Sequence, residues 1–309
     1  MKTISAVILG AAALIAFAMP AQALNTRSWI SGKGADNAGC GPIATPCRTL
    51  QFAHDQTAAG GEIDVLDPAG YGAVVINKSI SIVNDGVGVA GVLAGAGANA
   101  ITINAGASDR VLLRGLAIEG ASTGANGVVH NSGGYLTIEN CSVRDFRAAA
   151  PNGNGIWLKP TGYLRMFISN TTIANNGNIG LYARVVGASN GIDVTADRIA
   201  VTYNGYGTVV SPSGTDAISA AHVMNSVFAF NSQMGLQITS DDGTDGIGRG
   251  YIDMVHASNN GGNDIRSTGR VYTVISRTTG SNVYGSFVSY GNNQIDFLYG
   301  SNVSSKALH

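Results

Sequence analysis

The chain has 309 residues, with 18 Lys and Arg against 19 Asp and Glu, and a net charge of −1 excludes a global attraction to nucleic acid or to an anionic membrane surface. Only 12% of the residues are charged while 43 are glycine. The common helix formers Lys, Glu and Gln are scarce, and an Asn- and Thr-rich chain with many short Val/Ile runs reads as strands joined by tight turns.

The first 23 residues read as a bacterial-type signal peptide. Lys2 gives a positive start, an apolar stretch runs from Ala6 to Met19, and Pro20-Ala21-Gln22-Ala23 supplies a small-x-small cleavage site after Ala23. The apolar run is short for a bilayer span and no later run is longer, so the sequence predicts export to the periplasm or the medium with no integral membrane segment after cleavage.

Residues 24–61 form an N-terminal cap. Cys40 and Cys47 flank the segment C-G-P-I-A-T-P-C, and export to an oxidising compartment predicts a disulfide between them. Cys141 is the odd cysteine and reads as a small buried hydrophobe. The stretch from Thr49 to Ala58 is the one amphipathic helix, with Thr49 as its cap and Gly60-Gly61 as its end. A helix there would close the open end of whatever follows, shielding apolar core and unpaired strand edges.

From 62 to 300 a unit recurs: aliphatic-x-aliphatic-x-Asn-x-x-aliphatic, a polar turn, then Gly opening a second alternating strand. The clearest copies start at Val111, Leu136, Phe167, Val194 and Val223. Their turn positions are Gly115, Asn140, Asn170, Asp197 and Asn225, separated by 25, 30, 27 and 28 residues. The glycines Gly127, Gly155, Gly180, Gly207 and Gly235 keep a second, independent spacing of 28, 25, 27 and 28. Such strands are too short to bury a face alone, but stacked copies bury a continuous aliphatic column and pair each strand with the one a full turn away. Gly, Asn and Asp tolerate the positive φ of a sharp bend, and Asn140, Asn170, Asp197 and Asn225 are expected to form a stacked turn ladder. The predicted fold is all-β: a single right-handed parallel β-helix of about nine coils, roughly 43 Å long, with a short N-terminal capping helix. A leucine-rich horseshoe would need helical periodicity, which is absent. Residues 301–309 read as a frayed tail.

The segments P-C-R-T-L-Q-F-A (Pro46–Ala53), G-G-E-I-D-V-L (Gly60–Leu66) and A-V-V-I-N-K-S-I-S-I (Ala73–Ile82), followed by the Asn-turn repeats, resemble the bacterial right-handed β-helix repeat proteins of the pectin-lyase-like superfamily. The resemblance implies that fold. It implies no single activity, because the superfamily includes lyases, hydrolases, epimerases and adhesins. Where the polygalacturonase branch carries catalytic aspartates, this chain has Ala125-Asn126, Asn152-Gly153-Asn154, Asn176-Gly177-Asn178, Asn204-Gly205-Tyr206 and Ser232-Gln233-Met234, with no carboxylate among them. Acid–base hydrolysis needs two carboxyl groups at a fixed separation, so glycosidase chemistry is disfavoured.

A Ca²⁺-dependent lyase acting on an acidic polysaccharide is the alternative. It would place Ca²⁺ on Asp216, Asp241, Asp242 and Asp245 in two Gly-rich loops and use a Lys or Arg as base. His130, His222 and His256 fall in different coils without metal-ligand spacing. No resident cofactor is expected, Ca²⁺ being the one ion these loops suit. The leading expectation is a non-catalytic glycan-binding or structural surface module, with a polysaccharide or cell-envelope glycan as partner. In the strand after each repeat Gly, Val128, Ile156, Leu181, Thr208 and Leu236 should face inward, and Val129, Trp157, Tyr182, Val209 and Gln237 outward. Trp157 would then neighbour Tyr182, and Lys159 would neighbour Arg184: an aromatic pair beside two cations, on the face that the resemblance makes a substrate cleft.

Overall fold

The computed structural model describes residues 24–187, 190–214, 216–240, 246–300 and 303–305. The expected signal segment 1–23 lies outside the described residues. The chain is a parallel β-solenoid in which strands pair with their equivalents one turn before and after, the described residues forming a sheet of 12 strands and another of 18. The inward column Ile138–Ile168–Ala196–Val223–Ile252–Ile275 passes through six successive turns in unbroken register, and all six residues are buried. Burying each larger aliphatic side chain contributes about 1.5–3 kcal/mol, and the alternation that the repeat imposes delivers one or more per strand.

About seven turns are regular, each with one strand in the first sheet and two in the second, from Ile80–Val83 to Ile265–Thr268. The expected nine coils included ends that the chain builds less regularly. Ala69–Gly70 is only two residues long, and Thr279–Gly285 pairs with both His256–Ser258 and Ile265–Thr268. In the segment expected to fray, Val303–Ser305 pairs with Phe287–Ser289, while 301–302 and 306–309 lie outside the described residues.

At the other end, Cys40 and Cys47 form a disulfide, and Cys47 bridges to Ile30 of the first strand. A disulfide suits an oxidising compartment. Among the described residues no helix is long and apolar enough to cross a membrane. The helix Leu50–Gln56 is capped by Thr49, whose side chain accepts from the Phe52 N–H. It does not run to Gly60-Gly61: Thr57 ends it, donating its buried hydroxyl to the Ala53 carbonyl while its backbone turns extended, and both glycines lie within the strand Thr57–Val65. β-Branched Thr with a hydroxyl for the last turn stops the helix before glycine is needed.

The corners divide the asparagines into two classes. The first corner holds left-handed backbone at Gly115, Asn140, Asn170, Arg198, Asn225, Met254 and Arg277. Asp197 is not its member in the fourth of these turns. It is the last residue of the strand Gly191–Asp197, paired with Ser169 and Met224, because Ile192, Val194 and Ala196 face inward and fix the bend one residue later, at Arg198. Asp197 instead accepts from Asn225 Nδ2 at 2.8 Å. Asn140, Asn170 and Asn225 are exposed; the Asn225–Asp197 contact is the one expected between stacked turns, whereas the buried stack of amides lies elsewhere.

That ladder is Asn176–Asn204–Asn231–Asn260, the first three buried and Asn260 half-buried, where each Nδ2 donates to the next Oδ1 at 2.9, 3.1 and 2.9 Å. It follows a second left-handed corner at Asp145, Asn175, Tyr203, Phe230 and Asn259. The repeat glycines adjoin it, and their φ is not positive. A Cβ on Gly155, Gly180, Gly207 or Gly235 would meet a ladder Nδ2 at 2.8–2.9 Å and the next turn's carbonyl oxygen at 2.2–2.7 Å. Glycine is required there for close approach, not for bending.

Candidate functional site

The strand Asn154–Leu158 sets Ile156 and Leu158 into the core and turns Trp157 outward, and Ile179–Val186 does the same for Tyr182. Trp157 and Tyr182 pair in register, with ring centroids 6.1 Å apart and planes at 12°. The Lys159 ammonium lies 4.4 Å from the Trp157 ring centroid, a cation–π contact worth about 0.5–1 kcal/mol at an exposed site. Lys159 and Arg184 are exposed, each two residues beyond its aromatic partner, whereas Trp157 and Tyr182 are half-buried. The Trp157 Nε1 is buried and has no acceptor among the described residues.

The outward column narrows on both sides of the pair. Val128, Ile156, Leu181, Thr208 and Leu236 face inward, but Val129 and Val209, expected outside, are also buried. Val129 lies beside Trp157 and Val209 beside Tyr182 in the ladder, so the large rings have short aliphatic neighbours to cover. Gln237 remains half-exposed.

Of the acidic loop residues, Asp216 is exposed, with a left-handed φ of 59°. Asp241, Asp242 and Asp245 lie outside the described residues. Among the described residues no group of three or more His, Cys, Asp or Glu is arranged to hold a metal ion. Several asparagines at the carboxylate-free turn positions are structural amides. Asn154 donates to Asn126 Oδ1 at 2.9 Å, and Asn176 and Asn204 belong to the buried ladder. Adjacent carboxylates in such a column would repel and would lack the donors that an amide supplies. Cys141 is buried, and burial pushes its thiol up to about 11, away from nucleophile chemistry.

Among the described residues, two of the surface clusters that escaped the sequence reading adjoin depressions. On the 12-stranded sheet Arg110, Tyr135 and Arg165 are ladder neighbours. The Arg110 guanidinium carbon lies 3.8 Å from the Tyr135 ring centroid, and Arg165 donates to the Tyr135 hydroxyl at 3.1 Å. They line a depression of about 320 Å³ with Thr137, Phe167 and Thr195. Arg114 and Arg144 in the same turns pair with Asp85 and Glu119, whereas these two cations lie on aromatic rings. Aligning the residues just before each inward aliphatic of the repeat would have placed them in one column. The second cluster is an exposed Tyr203–Phe230 stack at a corner.

His130 lies fully inside, with neither ring nitrogen hydrogen-bonded among the described residues, and burial holds its pKa down at about 4 from an ordinary 6.5. The unfolded chain therefore takes up this proton near pH 6.5 and the folded chain only near pH 4. Stability is complete above pH 6.5, falls as pH drops through that window, and levels off below it, by about 3 kcal/mol. His54, also lowered by burial, acts in the same direction. Urea unfolding at pH 7.5 and pH 4 is expected to show this loss, and His130→Leu to reduce it to the smaller slope that His54 leaves; an equal slope in that variant would refute the assignment.

No protein-family model, no curated protein and no solved structure matches this chain.

Proposed function

We propose that the protein is an exported right-handed β-helix of the pectin-lyase-like kind that binds an acidic glycan along the Trp157–Tyr182 strip without cleaving it. Right-handed winding follows from the strong preference of parallel crossovers. In this reading the helix Leu50–Gln56 closes the first turn, and Lys78 ties its end down by donating to the His54 and Thr57 carbonyls. The observation that carries the binding reading is the in-register aromatic pair with Lys159 on its ring. Aromatic surface covers the apolar side of a sugar, while Lys159 and Arg184 meet a carboxylate or sulfate on the same chain. Parallel strands repeat about every 4.8 Å, so such a strip suits a linear polymer running along the solenoid axis.

The purified chain is expected to be retained by pectate, alginate or glucuronan matrices without any rise in absorbance near 235 nm, with or without Ca²⁺. Trp157→Ala should weaken retention at least tenfold, a loss of about 1.4 kcal/mol. A rise at 235 nm would reveal new C=C bonds. It would replace this reading with the lyase alternative, directing attention to Asp216, Asp241, Asp242 and Asp245. Absence of retention on every matrix would end the binding reading.

A further inference from the structure

Tyr203 and Phe230 occupy one corner position in consecutive turns, each following a short strand, Ala200–Thr202 and Val227–Ala229, that pair in register. Their φ angles are 57° and 58°, a left-handed conformation that bulky residues disfavour. The turns on either side carry Asn175 and Asn259 at the same position, at 59° and 56°, which is the residue type such a bend tolerates. The two rings are nevertheless exposed, by 58% and 49%, so burial does not account for them. They stack on each other with centroids 5.2 Å apart and planes at 9°. Beside the stack lies a depression of about 340 Å³, lined by Arg147, Asn175, Gly177, Tyr203, Phe230 and Ser232 among others.

A disfavoured backbone conformation retained under exposed side chains points to use of those side chains. We propose that Tyr203 and Phe230 form a stacking platform for a neutral pyranose ring of a polysaccharide, seated in this depression. A sugar presents an apolar C–H face to an aromatic ring, and its rim of hydroxyls requires donors and acceptors. Asn175, Ser232 and Arg147 supply them, and the smaller Asn175 leaves room in the preceding turn, beside Tyr203, where a third ring would otherwise stand. The site lies at a corner, whereas the Trp157–Tyr182 pair lies on a strand face, and it does not depend on the acidic-glycan reading.

The test is calorimetric titration of the full chain with cello-, laminari-, xylo- and mannohexaose, alongside thermal melts. At least one hexasaccharide is expected to bind. The double variant Tyr203→Asn/Phe230→Asn should bind it at least tenfold more weakly with Tm equal to or above that of the parent, because Asn suits the corner. Tyr203→Phe should keep binding, and Trp157→Ala should leave it unchanged. The proposal is overturned if no member of the panel binds, if the double variant binds as tightly as the parent, or if its Tm falls by several degrees, which would make the stack structural.

Discussion

Gly207→Ala is expected to abolish soluble folding of the central turns. The added Cβ would stand 2.2 Å from the Gly235 oxygen and 2.9 Å from Asn231 Nδ2. Neither atom can give way. The Gly235 carbonyl accepts from the Thr208 N–H at 2.8 Å, and Asn231 Nδ2 is held by the Val201 carbonyl and by Asn260 Oδ1. Relief requires the two turns to separate, which breaks the parallel ladder on both sides. A cost of about 4 kcal/mol or more is expected, at the severe end for overpacking. Gly70→Ala is the control, since nothing lies within 4 Å of its Cβ, and its effect should stay within about 0.5 kcal/mol. Soluble yield and far-ultraviolet circular dichroism report both. A Gly207→Ala protein that melts like its parent would show that the turns are not so tightly spaced.

Asn204→Ala is expected to be the most damaging polar truncation. Asn204 donates to the carbonyls of Ile173 and Thr202 and to Asn231 Oδ1, and its own Oδ1 accepts from both the N–H and Nδ2 of Asn176. Truncation strands several of these groups in the interior, each costing about 1–3 kcal/mol, so a loss of about 4 kcal/mol and a Tm lower by roughly 10 °C are expected. Asn170→Ala, at an exposed corner, loses the left-handed tolerance of Asn and the solvent-exposed hydrogen bond that its Oδ1 accepts from Arg198 Nε, and should cost about 1 kcal/mol. Thermal melts of the two variants separate the classes; equal shifts would mean that burial of the ladder carries no special weight.

The contrast between those two asparagines marks where sequence reading stops. Both sit in turns, both recur with the repeat, and local chemistry favours Asn at each. Only closure of the coil decides that Asn140, Asn170 and Asn225 face solvent while Asn176, Asn204 and Asn231 fall inside, where each amide meets the one a turn away. Asp197 failed for a related reason. Asp is a good turn former, but the inward positions of Ile192, Val194 and Ala196 hold the strand straight through it and bend the chain at Arg198.

The repeat glycines were legible as landmarks but not in their role. The crowding that demands them comes from a neighbouring turn some 25–30 residues away. The exposed aromatics divide similarly. The register of Trp157 with Tyr182 could be read from the spacing, because side chains alternate strictly along a strand and the repeat length fixes which residues stack. Tyr203 and Phe230 could not, because their position is a corner whose left-handed backbone no local pattern announces when the residue is not Gly or Asn.

The period, the strands, the inward aliphatic column and the Cys40–Cys47 pairing are legible in the residues, since each depends on contacts that alternation or short separation dictates. Which amides are buried, why the glycines are obligatory and which aromatic rings stand exposed emerge only when the turns close on one another. Those properties depend on distances of a few ångströms between turns, and such distances exist only once the coils have stacked.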